Sequence, residues 1–194
     1  MWRSLEAALA RFAGRRAAAC QRYAPGRADW WLRLACSITP AFAEPFRALV
    51  HLRRSRDDRL GAVAAAREAI DRFPENPDAW MLLGEAYEMA FRQPEALSAY
   101  ERALSLEERA DAALAAGVLY RRAGRAADAA ARFARAYAAG AGAEALWENA
   151  AALFAAGDER AAEEALTLWA TQVPDGFERL TEARAAARAG RREA

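Results

Sequence analysis

Residues 80–87 read Trp-Met-Leu-Leu-Gly-Glu-Ala-Tyr. Trp80, Leu83 and Tyr87 follow the spacing of side chains that share one face of an α-helix. Gly84 lies on the same face and carries no side chain, so a second helix can approach closely there. The stretch therefore predicts an amphipathic helix that packs tightly against a partner.

The partner helix follows in residues 96–103, which read Ala-Leu-Ser-Ala-Tyr-Glu-Arg-Ala. Pro94 is suited to open this helix, because its fixed φ angle matches the first helical turn. Ala96, Tyr100 and Ala103 form its inner face. No alternating run of β-branched residues occurs in the chain, so strands are not expected.

The same pattern returns along the chain with a period of about 34 residues. The next copy has Gly117, Tyr120, Gly124, Ala129, Phe133 and Ala136 in place of Gly84, Tyr87, Phe91, Ala96, Tyr100 and Ala103. In that copy Gly124 supplies the turn residue that Phe91 replaces in the copy before it. An earlier copy has Ala62, Ala66 and Ala69 in place of Ala96, Tyr100 and Ala103.

The last copy changes register within itself. The interval from Ala113 to Trp147 is one residue longer than the interval from Gly124 to Gly157. The mismatch predicts a turn one residue shorter between the two helices of this pair. Trp169 occupies a place that usually holds alanine, so we expect a bulky group to be accommodated at the end of the stack.

These residues resemble the tetratricopeptide repeat, whose pattern is W-x2-L-G-x2-Y followed by A-x3-F. The resemblance implies an all-α fold, a right-handed α-solenoid of antiparallel helix pairs with a C-terminal capping helix. We expect a degenerate, basic and Trp-rich N-terminal helix pair over residues 1–42, with a first helix over 4–19 and a turn at 24–26. Four repeats are expected, at residues 43–75, 76–108, 109–142 and 143–174. The capping segment is expected at residues 175–194, with its helix over 177–189.

Composition argues against catalysis. His51 is the only histidine, no phosphate-binding glycine loop occurs, and we predict no enzyme activity, no cofactor and no metal site. Cys20 and Cys36 stand far apart in the sequence, and we expect both to be reduced. Reduced cysteines favour a cytoplasmic protein, and in one alternative that protein is peripheral to a membrane complex. The basic start of the chain is also compatible with a transit peptide, but its continuous helical periodicity favours a helix.

All 28 basic residues are arginine, and their distribution is uneven. Residues 1–60 hold 12 arginines against five acids, or +7, while residues 61–194 carry −6, so the whole chain has a net charge of +1. An overall charge near zero argues against a nucleic-acid partner. The basic end and acidic body suggest an acidic partner, anionic lipid or another copy of the chain.

In the family the concave groove is lined mostly by first helices, and proteins or peptides bind there. The positions of this chain that would project into it are Arg47, His51, Arg54, Met81, Glu85, Glu88, Met89, Leu114, Val118, Arg121 and Arg122. Arginine forks beside flexible methionines suit an acidic or amphipathic protein segment, so we expect a scaffold or adaptor that recruits such a partner to a larger complex. The alternative is a solvated groove with incidental arginines.

The N-terminal end offers a second hypothesis. Aromatic residues recur there at helical spacing among arginines, and the candidate contact residues are Trp2, Arg3, Arg15, Arg16, Trp30 and Trp31. Such an end could dock on a membrane-associated complex or on another copy of the chain. The structural alternative is that these aromatic residues only seal the end of the stack.

Overall fold

The regular structure of the protein is helical throughout the part that can be described. The computed structural model describes residues 2–20, 24–38 and 44–190, without the side chains of residues 2–5, 25 and 190, and these ranges contain helices and no strand. The helices are α1 Trp2–Cys20, α2 Pro25–Ile38, α3 Glu44–Ser55, α4 Arg59–Arg72, α5 Pro77–Met89, α6 Gln93–Leu106, α7 Ala110–Arg122, α8 Ala126–Ala138, α9 Ala143–Ala156, α10 Glu159–Gln172 and α11 Gly176–Gly190. The predicted all-α class is confirmed.

The chain divides into two units, residues 1–106 and residues 107–194. In the first unit each helix from α1 to α6 packs against the next, and α3 also contacts α5. In the second unit each helix from α7 to α11 packs against the next, and α11 also contacts α9. Each unit is therefore a stack of antiparallel helix pairs, and α11 covers the last pair.

The turns of the four pairs from α3–α4 to α9–α10 are each closed by one residue in the left-handed region. These residues are Asp57, Phe91, Gly124 and Gly157, with φ angles of 55°, 57°, 70° and 87°. In every case the next amide donates to a carbonyl five residues back, at 2.9–3.0 Å, which is the closing bond of a Schellman motif. The turn spans residues 123–125 between α7 and α8 but only 157–158 between α9 and α10. The predicted shorter turn is confirmed.

One predicted turn is wrong. Residues 24–26 were expected to form the turn between the first two helices, but α2 already begins at Pro25. Proline lacks only an amide proton that the first turn of a helix does not use, so it starts the helix there. The boundaries 1–42, 43–174 and 175–194 remain predictions, and residues 39–43 and 191–194 lie outside the described part of the chain.

In two pairs the helices approach closely where a glycine of the first helix faces an aromatic ring of the second. A Cβ atom placed on Gly84 would stand 2.3 Å from Cε1 of Tyr100, and one on Gly117 would stand 2.7 Å from Cε1 of Phe133. Both rings are fully buried. Since no carbon atoms approach so closely without displacement, each glycine is required by the ring that lies on it.

A buried arginine ties the N-terminal pair to the next one. Nε of Arg53 donates to Asp29 of α2 at 3.1 Å, and its Nη1 donates to the carbonyl of Gly61 in α4 at 2.6 Å. Arg53 is buried, and a buried charge is tolerated only when it is paired and hydrogen-bonded. The network therefore fixes α2, α3 and α4 to one another although the sequence of the first pair departs from the repeat.

Replacing Gly84 with alanine should destabilise the protein. The new methyl group would overlap the Tyr100 ring, and overpacking of this kind costs about 1–3 kcal/mol. Urea unfolding followed by circular dichroism measures the change. The matched control is Gly14→Ala, since a Cβ there meets nothing within 4 Å and alanine in a helix is favoured by about 0.5–1 kcal/mol. Equal stability of the two variants would contradict the close-contact interpretation.

The two cysteines should differ in reactivity. Cys36 is buried, and this burial, with a smaller contribution from Glu68, raises the pKa of its thiol from 9.0 to about 12. At pH 8 a disulfide reagent should therefore label Cys20, which is half-buried, before Cys36. Cys20→Ser should remove the fast reaction, whereas urea should expose both thiols of the wild-type chain.

The raised pKa also sets the sign of a stability change. Between about pH 9 and about pH 12 the folded state keeps the proton of Cys36 and the unfolded state loses it. The free energy of unfolding should therefore fall across that interval. Cys36→Ala should fall less steeply than the wild-type protein.

Candidate protein-binding surfaces

The predicted groove residues occupy equivalent positions on three first helices. Arg47, His51 and Arg54 lie on α3; Met81, Glu85, Glu88 and Met89 lie on α5; and Leu114, Val118, Arg121 and Arg122 lie on α7. Spacings of four and then three residues place the members of each set along one helix face. The first two sets belong to the first unit, and the third belongs to the second unit.

On α3 the three predicted residues have different surroundings. Arg47 is exposed and forms an ion pair of 2.9 Å with Asp78 of α5. His51 is exposed and lines a small cavity of about 160 Å³ that α1, α2 and α3 share. Arg54 makes no hydrogen bond or ion pair with any residue that the structure describes. It is therefore the arginine of this face whose charge a ligand could use.

Arg54 lies in a pocket of about 240 Å³, together with Asp57, Arg59, Met89 and Phe91. Arg59 pairs with Asp57 at 2.8 Å, and its guanidinium lies 4.6 Å from the centroid of the Phe91 ring. Phe91 is 75% exposed and Met89 is half-buried. The pocket thus combines one unpaired positive charge with apolar surface.

The other residues of the α5 set are partly engaged within the protein. Met81 is only 8% exposed, so it packs in the core and has little surface for a ligand. Glu88 accepts a hydrogen bond of 2.8 Å from the hydroxyl of Tyr100. Glu85 is exposed.

In the second unit the predicted strip is half apolar and half charged. Leu114 and Val118 are half-buried, whereas Arg121 and Arg122 are exposed. Arg121 forms an ion pair with Glu148 of α9, so a ligand carboxylate would have to compete with that partner. This face therefore offers apolar contact at Leu114 and Val118, beside the two exposed arginines.

The N-terminal end carries exposed apolar side chains. Leu9, Phe12 and Trp30 are 47%, 48% and 57% exposed. Trp31 is half-buried and contacts both aromatic neighbours edge to face, with ring centroids 4.7 Å from Trp30 and 6.0 Å from Phe12.

Two of the predicted arginines border this surface. The guanidinium of Arg16 lies 5.6 Å from the Trp31 ring, and Arg15 is exposed. The side chains of Trp2 and Arg3 lie outside the described part of the chain. The end thus exposes a mixed aromatic and basic surface.

The sequence interpretation did not select Arg59, Asp57 or Phe91 as site residues. A signal was present for Phe91, because it stands where the later copies have Gly124 and Gly157. A bulky residue with φ of 57° costs about 1–2 kcal/mol relative to glycine. A strained, exposed aromatic residue at a turn is a candidate functional residue, and its neighbours Asp57 and Arg59 are candidates with it.

Comparison with solved structures shows a fold shared with tetratricopeptide-repeat proteins. MamA has a TM-score of 0.68 and 16% identity over 90% of this chain and 94% of its own. The protein TTC0263 of Thermus thermophilus, described as a thermophilic TPR protein, has a TM-score of 0.57 and 20% identity over 92% of this chain and 98% of its own. YrrB, described as a TPR protein, has a TM-score of 0.61 and 19% identity over 82% of this chain and 84% of its own.

No family model matches the sequence, and no curated protein matches it either. No helix within residues 2–20, 24–38 and 44–190 is long and apolar enough to cross a bilayer. At these identities the likeness concerns the architecture. The chain has the fold of the tetratricopeptide-repeat proteins, an all-α solenoid of antiparallel helix pairs.

Proposed function

We propose that this protein is a non-catalytic scaffold or adaptor that binds an acidic or amphipathic protein segment and recruits it to a larger complex. Stacked helix pairs present extended surfaces built from the equivalent faces of successive repeats, and such surfaces serve protein binding. YrrB, which shares the fold, is described as having an unusual peptide-binding site, which supports a peptide ligand here as well.

The observation that carries the proposal is the pocket around Arg54. Arg54 and Met89 meet there from two successive first helices, and Phe91 adds an exposed ring. Because Arg59 is paired with Asp57, the lining keeps the single positive charge of Arg54. A carboxylate of the ligand would pair with Arg54, and an adjacent apolar side chain would contact Met89 and Phe91.

Leu114 and Val118 of the second unit provide a further apolar contact for a partner. They occupy the places on α7 that Arg47 and His51 occupy on α3, and neither carries a charge. The partner is therefore expected to be apolar where it meets this face.

Charge reversal at Arg54 should weaken peptide binding strongly while the fold survives. A library of random peptides displayed on phage would be selected on the wild-type chain, and the affinity of enriched peptides for Arg54→Glu would be measured by calorimetry. We expect peptides that carry an acid beside an aromatic or aliphatic residue, and a loss of about tenfold or more, the value of one hydrogen bond to a charged group.

Arg160→Glu is the matched control, because Arg160 is an exposed arginine that lies on α10. This substitution changes the net charge by the same amount as Arg54→Glu. It should leave the affinity unchanged. The absence of acidic peptides from the enriched set, or an equal loss of their affinity in both variants, would show that the pocket does not bind an acidic segment.

The exposed aromatic surface at the N-terminal end supports a second candidate function. Through Leu9, Phe12 and Trp30 the protein would dock on a membrane-associated complex or on another copy of the chain. Tryptophan and arginine are enriched among the residues that dominate protein interfaces, and both occur here together. This surface and the Arg54 pocket share no residue.

Sedimentation analysis tests the self-association form of this candidate. The wild-type chain should associate as its concentration rises, and Phe12→Glu with Trp30→Glu should make it monomeric, because both charges would be buried in the interface. Leu168→Glu is the control, since Leu168 is also exposed, at 41%, but lies on α10. A wild-type chain that stays monomeric at every concentration would rule out the self-association form of this candidate.

A further inference from the structure

The second unit contains an open cleft that none of the predicted surfaces includes. It has a volume of about 470 Å³ and lies among α9, α10 and α11. Its lining consists of Glu144, Trp147, Trp169, Arg179, Glu182 and two alanines of α11. The volume falls in the range of about 300–1,000 Å³ that is usual for ligand sites.

The two tryptophans differ in their relation to the repeat. Trp147 stands in the register of Trp80, the tryptophan of the repeat pattern, which Ala113 replaces in the copy between them. Trp169 stands where the previous copy has Ala136, which is fully buried. Alanine therefore satisfies the core at that place, and the bulk of the second indole is not needed to fill it.

Both indoles instead remain half-buried beside the core cluster of Phe154 and Leu166. Their ring centroids are 5.6 Å apart and the ring planes are tilted by 53°. The tilted pair forms a corner of aromatic surface at the cleft, and the faces of aromatic rings carry negative potential.

The carboxylates of the cleft have no partner among the described residues. Glu144 and Glu182 make no hydrogen bond or ion pair with the residues that the structure describes, although other glutamates of these helices do. Glu148 pairs with Arg121, and Glu163 pairs with Arg184 at 2.5 Å. Arg179 is likewise unpaired within the described residues, so the lining has a net charge of −1.

We propose that this cleft binds a cationic side chain, lysine or arginine, of a protein partner. A cation over an indole face is attracted by the ring quadrupole, and two unpaired carboxylates beside the rings add charge attraction. Arginine also stacks on aromatic faces, and its aliphatic stem covers apolar surface. An acidic ligand would meet Arg179 but also both carboxylates and two electron-rich ring faces.

The cleft and the Arg54 pocket therefore select opposite charges. They share no residue, and the cleft proposal does not depend on the groove proposal. A partner with separated acidic and basic segments would satisfy both sites, each within its own unit.

Chemical shifts of the indole N–H groups test the site directly. The ¹⁵N-labelled full chain would be titrated with N-acetyl-arginine amide, with N-acetyl-trimethyllysine amide, and with the neutral isostere of the latter, in which carbon replaces the ammonium nitrogen. N-acetyl-glutamate amide is the anionic probe. Single Trp→Phe variants assign the signals of Trp147 and Trp169, and Trp80, which lies in the other unit, serves as an internal reference.

The cationic probes should shift the signals of Trp147 and Trp169 and leave that of Trp80 in place. The trimethyllysine probe should bind about 3- to 30-fold more tightly than its neutral isostere, the margin expected of a cation on aromatic faces. Glu144→Gln with Glu182→Gln should reduce that margin and keep the fold, since both side chains are exposed. Glu178→Gln, an exposed change on α11 outside the cleft, should keep it in full.

Several outcomes would overturn the proposal. Equal affinity for the cation and its isostere would make the cleft a merely apolar surface. Tighter binding of the glutamate probe would assign it to Arg179 and an acidic ligand. Shifts spread over all tryptophans, or no shift with any cationic probe at millimolar concentration, would show that no cationic side chain binds here.

Discussion

The contact of a glycine backbone with an aromatic ring is the constraint on which the two central helix pairs, α5–α6 and α7–α8, depend. Gly84 lies under Tyr100 and Gly117 lies under Phe133, at distances that leave no room for a methyl group. The ring fills the space that the missing side chain provides, so the two helices pack at close range with a buried ring between them. The left-handed turn residue then closes the pair, because it returns the chain over a short loop.

The Arg54 pocket and the cleft of the second unit both lie where a copy departs from the repeat pattern. Phe91 takes a left-handed conformation that glycine adopts in later copies, and its exposed ring meets Arg59. Trp169 stands where the previous copy has Ala136, and that alanine is sufficient for the core. In both regions an aromatic side chain that the core does not require lies beside unpaired charges. The two proposed sites consist of these groups.

Arginine performs two different tasks in this chain. Arg53 is buried and joins three helices through Asp29 and the Gly61 carbonyl. Its charge is therefore paired within the fold and is not available to a ligand. Arg121 is exposed, but Glu148 of the neighbouring helix pairs with it. Arg54 differs from both, because the described residues offer it no partner and it lines a pocket together with Met89 and Phe91. Charge alone therefore does not distinguish a binding arginine from a structural one.

The sequence by itself determined the helix pairs, the glycine contact and the shorter turn in the last pair. Each depends on residues close together in the chain or on a repeat of about 34 residues, and periodicity records such local relations directly. The residues predicted to line a groove share one face of each of the helices α3, α5 and α7, because side chains on one helix face recur predictably.

Only the tertiary structure decided which of those side chains are available. Met81 is buried, Arg121 is paired and Arg54 is not, while Glu144 and Glu182 meet two tryptophans in a cleft. These differences arise from contacts between residues on different helices. Such contacts depend on how the two helices are rotated and shifted against each other. A pattern along one helix shows the direction of a side chain, but the neighbouring helix determines whether it finds a partner there.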